Sequence, residues 1–247
     1  MDSIKRIFKF QNRDLKKSIG VFWGIILIVN LLSSILSISY NSNIIYGLNS
    51  KGGEAISFIG ANMMSIFIFI IIYGIIMYYE DFALALSFGV TRKDFYRSAI
   101  VNNMLVAIIF GIIQGGLHLI EGYFFKTSGY KLMTEFGIFN TSTDNILFII
   151  LSLSVFFLAL LSISNLLGVL QYRFGYKLWI GVGVVFLLVL NSTGVSFSIK
   201  TIKMLSNMYL WFYSVFNAGS VFILEVILAA ICYSIGYFFI RKASIKK

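Results

Sequence analysis

No proline occurs in this chain, although average usage would place about a dozen in a sequence this long. Sharp bends therefore have to come from glycine, asparagine or helix ends. Cysteine occurs once, at Cys232, which excludes a disulfide framework. Histidine also occurs once, at His118. With no Cys pair and no His-Glu-x-x-His, a metal site built from these residues is not expected. There is no Gly-x-x-x-x-Gly-Lys-Ser/Thr phosphate loop and no Gly-x-Ser-x-Gly elbow. The chain thus lacks the usual means of binding ATP and the usual signature of a serine nucleophile. An enzyme would need an unusual Ser or carboxylate arrangement. Charge is scarce too: 12% of residues are charged, against about 25% in a soluble domain.

What remains is apolar. Hydrophobic residues make up 59% of the chain and its mean hydropathy is +0.90. Several runs exceed the roughly 18 residues that a helix needs to cross about 30 Å of hydrocarbon. The sequence predicts an all-α integral membrane protein with six transmembrane helices. They run over Ile19–Ser39, Ile56–Tyr79, Ser98–Ile120, Asn145–Leu170, Leu178–Val195 and Ala218–Ile240. Of the 20 Lys and Arg, only Lys51, Lys126, Lys131, Lys200 and Lys203 fall on the side opposite the N-terminus. The positive-inside rule then puts both termini in the cytoplasm, and a multi-pass plasma-membrane protein is expected. The net charge of +10 sits at span ends, where anionic lipid attracts it, so no nucleic-acid partner is expected. The first apolar run lacks a small-x-small cleavage site and reads as an uncleaved span.

One membrane domain, residues 1–247, is expected, with no internal repeat. Within residues 1–18, Ile4, Ile7, Phe8 and Leu15 share one helical face, with Lys and Arg elsewhere. This predicts an amphipathic helix lying on the inner leaflet, which either anchors span one or meets a cytoplasmic partner. Residues 196–217 are too apolar for a solvated loop and too broken by Lys200, Lys203, Ser206 and Asn207 for a span. They predict a re-entrant outer segment with Trp211 and Tyr213 at headgroup level.

Polar residues inside spans each demand a buried partner or a water-filled path. Asn103, Gln114, His118 and Glu121 fall on one face of span three at 100° per residue. Asn30, Ser34, Ser37 and Asn41 fall on one face of span one. Both faces admit two readings: hydrogen bonding between helices, or the lining of a polar cavity. Glu225, about 10 Å from the outer end of span six, shares a face with Ala229, Cys232 and Gly236. An ion pair with His118, Lys200 or Lys203, a transport-coupled group and a neutral carboxyl are all open for it. Gly20-x-x-x-Gly24 in span one, and Ala107, Gly111 and Gly115 in span three, predict close helix contacts within the chain or across a dimer.

The segment Glu80–Arg97, EDFALALSFGVTRKDFYR, is the most charged stretch between two apolar runs. Span two is expected to continue as a helix through Glu80, Asp81 and Phe82, and Gly89 suits a left-handed stop. Thr91 suits an N-cap, with Asp94 three residues on as a weaker capping-box partner. A short helix, Arg92–Arg97, should then lead into span three. The result is a charged knob on which Phe88, Val90, Thr91, Arg92, Lys93, Asp94, Phe95, Tyr96 and Arg97 read as a docking surface, since aromatic residues with Arg are common interface anchors.

Residues 83–98, ALALSFGVTRKDFYRS, resemble the cytosolic coupling segment of ABC-2-type exporter permeases of Gram-positive bacteria. The N-terminal amphipathic helix, six spans, short outer loops and re-entrant stretch are similar to that family as well. Small peptide exporters, such as the phenol-soluble modulin exporters of staphylococci, are similar in size and layout. The resemblance implies a permease subunit, not itself an enzyme, that moves amphipathic peptides or similar hydrophobic compounds outward. It implies a second permease subunit, identical or paralogous, and a cytosolic ABC ATPase subunit that binds the ATP and Mg. It also implies a path lined by spans one, two and five. The other class the sequence allows is a stand-alone membrane protein, such as an immunity or sensor-associated scaffold.

Overall fold

The computed structural model describes residues 2–40, 57, 59–125, 133–136, 138–192 and 218–241. The regular elements among them are helices: α1 (Asp2–Tyr40), α2 (Asn62–Ile76), a π-turn (Met77–Asp81), α3 (Phe82–Ser87), α4 (Arg92–Phe125), α5 (Ile146–Phe174), α6 (Tyr176–Ser192) and α7 (Ala218–Arg241). An isolated Glu135–Asn140 bridge pins a small turn between α4 and α5.

Five stretches are long and apolar enough to cross a membrane: Leu15–Ile35, Asn62–Ser87, Arg92–Tyr123, Ile146–Phe174 and Gly219–Arg241. They overlap the first four expected spans and the last. The fifth expected span corresponds to α6, whose 17 described residues extend about 25 Å. The expected N-terminal amphipathic segment belongs to one helix with span one, Asp2–Tyr40. Likewise, the expected short helix at Arg92 is the first turn and a half of the 34-residue α4. The re-entrant segment, Asn41, Lys200 and Lys203, and the side chains of Ile4, Ile7, Phe8 and Ser37, lie outside what is described.

Side-chain pairs fix the helix directions. Gln11 meets Ser98, and Trp23 meets Phe110, so α1 and α4 run parallel. Ser164 reaches the Ile70 carbonyl and Phe82 meets Tyr172, so α2–α3 and α5 run parallel to each other. Phe110 packs on Phe157, and Gly111 and Gly115 sit against Ser154 and Ile150, so α5 is antiparallel to α4. Arg92, Tyr96 and Asn103 meet Arg241, Tyr237 and Tyr233 in that order, so α7 is antiparallel to α4 as well. The Gln11 end of α1 and the Arg241 end of α7 therefore lie at the end of the bundle that carries the knob.

Two cores hold the helices. Near the knob, Met77, Tyr78, Phe82, Phe95, Tyr96, Tyr172 and Tyr233 are buried together. In the rest of the bundle, Phe22, Trp23, Phe69, Phe110 and Phe157 stack between α1, α2, α4 and α5. The buried stripe of α1, Gln11, Leu15, Ile19, Trp23, Ile26, Asn30 and Ser33, follows three- and four-residue spacing. The faces beyond it, such as Val21, Ile25 and Ile28, are exposed, as suits lipid contact.

Candidate functional site

The knob is built by two caps. α3 stops at Phe88, and Gly89 takes φ +78°. The Gly89 amide donates to the Leu86 carbonyl at 3.0 Å and the Val90 amide to the Ala85 carbonyl at 3.1 Å. Together these form the paired bonds of a Schellman stop, which needs a left-handed residue that glycine supplies without a Cβ penalty. Thr91 then starts α4: its Oγ1 accepts from the Asp94 amide at 3.1 Å. Both the Gly89 stop and the Thr91 start match the expectation from sequence.

The orientation of the knob residues divides the expected docking set. Phe88 is 75% exposed, and Thr91, Lys93 and Arg97 are exposed, while Val90, Arg92 and Asp94 are half-buried. Phe95 and Tyr96 correct the expectation, for both are buried. Phe95 wedges edge-on against Tyr78 and Phe82, at ring distances of 5.8 and 5.1 Å. Tyr96 donates its hydroxyl to the Tyr233 carbonyl. The physical reason is helical: once α4 begins at Arg92, residues 95 and 96 share the inward side with Ala99 and Asn103, leaving Lys93 and Arg97 outside. Arg92 ties the knob to α7 by donating from Nη1 to the Arg241 carbonyl at 3.2 Å. A cation at the carbonyl end of a helix opposes its dipole. Nearby, the Arg173 guanidinium lies 5.4 and 5.1 Å from the Phe174 and Phe239 ring centres.

The expected polar face of α4 is buried and engaged with α7 at Asn103 and with non-helical segments at Gln114, His118 and Glu121. Asn103 donates to the Tyr233 hydroxyl at 3.2 Å, and Gln114 to the Ile59 carbonyl at 2.8 Å. Glu121 accepts from the Ser57 hydroxyl at 2.9 Å and the Ile59 amide at 3.2 Å. His118 Nδ1 lies 3.8 Å from Glu121 Oε2, and its ring packs on Phe136 and Phe139. Gln114, His118 and Glu121 thus clamp Ser57, Ile59 and the turn before α5 onto the far end of α4, while Asn103 joins α4 to α7, which favours helix and loop bonding as the role of this face. On α1, Asn30 is buried and Ser34 donates to the Asn30 carbonyl. Glu225 is half-buried, and its Oε2 has no hydrogen-bond partner among the described residues. His118 pairs instead with Glu121 on its own helix.

Several contacts had no separate signal in the sequence. Ser98 donates to Gln11, Asn102 to the Tyr73 hydroxyl, and the Tyr78 hydroxyl to Asn165. Gly111 and Gly115 meet α5 as expected, but a Cβ on Gly20 or Gly24 would meet nothing within 4 Å. The close approach instead joins α2 to α5, where Gly74 faces Ser164 and Gly168. Compared with known proteins, the chain matches no family model, no curated protein and no solved structure.

Proposed function

We propose that this chain is the membrane subunit of an ATP-driven exporter in the plasma membrane, taking its force from a separate cytosolic ATPase that binds ATP and Mg. The observation that carries this reading is the knob. A connector between two spans needs only a few solvated residues. This one is a capped helix–turn–helix that presents Phe88, Lys93 and Arg97 while its other side is packed into α4, α5 and α7. A push on the exposed side is thereby passed to three helices at once.

Helix directions support six crossings. α5 and α7 run the same way, so the chain between them has to return across the bundle, and α6 is the described helix available for it. With the knob end taken as cytoplasmic from the basic residues, both termini are cytoplasmic.

The aromatic stack of Phe22, Trp23, Phe69, Phe110 and Phe157 occupies the middle of a single bundle. This supports a cargo path along exposed helix faces, between two permease subunits. The open Gly20 and Gly24 face of α1 is suited to that second subunit. The cargo class follows the resemblance: amphipathic peptides or similar hydrophobic compounds. Reconstitution with its cognate phosphate-loop ATPase tests the proposal. Amphipathic peptides should stimulate ATP hydrolysis by the complex; hydrolysis indifferent to peptide and lipid candidates alike would contradict it.

A further inference from the structure

Between span two and the knob the helix changes pitch. The Phe82 amide donates to the Met77 carbonyl, five residues back, closing the π-turn Met77–Asp81. No glycine or proline occurs there to force it. The wide turn takes up a residue that a regular helix could not place. At 100° per residue Ile70 and Phe82 would point about 120° apart. Both are nonetheless buried, Ile70 in the core that holds Trp23, Phe110 and Phe157, and Phe82 against Phe95 and Tyr172. π-turns inside α-helices are rare and frequently sit at functional positions.

The surroundings hold the two sides of this turn unequally. On the knob side, Phe82 is fixed by Phe95 and Tyr172, and the knob by the Arg92–Arg241 and Tyr96–Tyr233 bonds. On the span side, Gly74 packs backbone to backbone with Gly168. Between them one buried hydrogen bond, Tyr78 hydroxyl to Asn165 Oδ1 at 3.1 Å, marks the register. Asn165 Nδ2 has no partner among the described residues. The Tyr78 carbonyl, four residues before Phe82, is the acceptor that a regular α-helix would use.

We propose that Met77–Asp81 is a two-state joint: the Phe82 amide exchanges its acceptor between the Met77 and Tyr78 carbonyls, and the wide turn closes into a regular helix that takes in the extra residue. The knob then shifts against span two by about one residue, roughly 1.5 Å along the axis and 100° around it. This deepens the exporter reading and rests on it for the source of the push. The joint itself is a property of the chain alone.

Spin labels on Met64→Cys and Ser87→Cys, in a Cys232→Ala background in lipid nanodiscs, read the joint directly. The distance distribution should contain two populations. Deleting Tyr79, which is 70% exposed, should leave one. Adding the ATPase and nucleotide should change the weights at least twofold. A single population, unchanged by the deletion, would overturn the joint. Two populations in a chain that captures no ATPase would keep the joint and overturn the exporter reading. Should the deletion fail to fold, Tyr78→Phe removes the register bond and should shift the weights by itself; an unshifted distribution would overturn the proposal.

Discussion

The Tyr96 hydroxyl donates to the Tyr233 carbonyl at 2.7 Å, passing over Gly236, where a Cβ would collide with it. This bond ties the first turns of α4 to the backbone of α7. Tyr96→Phe removes one buried bond and should cost about 0.5–1.5 kcal/mol. Phe95→Ala empties a site enclosed by Tyr78 and Phe82 and should cost about 3–5 kcal/mol. Thermal unfolding of the purified chain in detergent checks both; equal, negligible effects would contradict the packing of the knob.

The turn at the tip depends on two residues. Gly89→Ala places a Cβ on a residue at φ +78° and should cost about 1–2 kcal/mol. Thr91→Ala removes the N-cap and should cost about 1 kcal/mol, while Thr91→Ser should restore most of it. Thermal shifts of the three variants measure this, and an Ala at 91 as stable as Thr would refute the capping role.

This tip was legible in advance because capping is local: glycine, threonine and their spacing suffice. The five apolar stretches were legible for a similar reason, since length and hydropathy need no partner. Phe95 and Tyr96 face inward although the sequence predicts them outward, because composition identifies an aromatic cluster but not the side it faces. That side is set by their partners: Tyr78 and Phe82 on the preceding helix for Phe95, and the Tyr233 carbonyl, 137 residues on, for Tyr96. The π-turn left no mark either, because no glycine or proline announces it. Periodicity predicts the polar face of span three, but its partners, Tyr233, the Ile59 backbone and Ser57, lie in other segments.

Small residues are predicted to differ by place. Gly168→Val pushes into the Gly74 carbonyl and the Tyr78 ring and should destabilise by about 1–3 kcal/mol. Gly20→Val and Gly24→Val meet open space in one protomer and should leave its unfolding unchanged. If they act, it should be on subunit association, read by cross-linking or native mass spectrometry. A destabilised Gly20→Val monomer would show that the α1 face is misassigned.

Glu121 and Glu225 should respond differently. Glu121→Ala leaves the buried Ile59 amide and Ser57 hydroxyl without their acceptor and should cost about 1–3 kcal/mol. Glu225→Gln breaks no hydrogen bond among the described residues and should leave expression and unfolding close to wild type. Loss of the folded protein on the Glu225 change would point to a buried ion pair.

The central claim is that force enters at the exposed side of the knob. Its most direct measurement is co-purification with the cognate ATPase for Phe88→Ala, Lys93→Ala and Arg97→Ala combined, beside an unfolding curve for the same protein. All three side chains are exposed, so the variant should fold like wild type. The account predicts a folded membrane subunit that has lost the ATPase. A folded variant that retains the ATPase in full would contradict it.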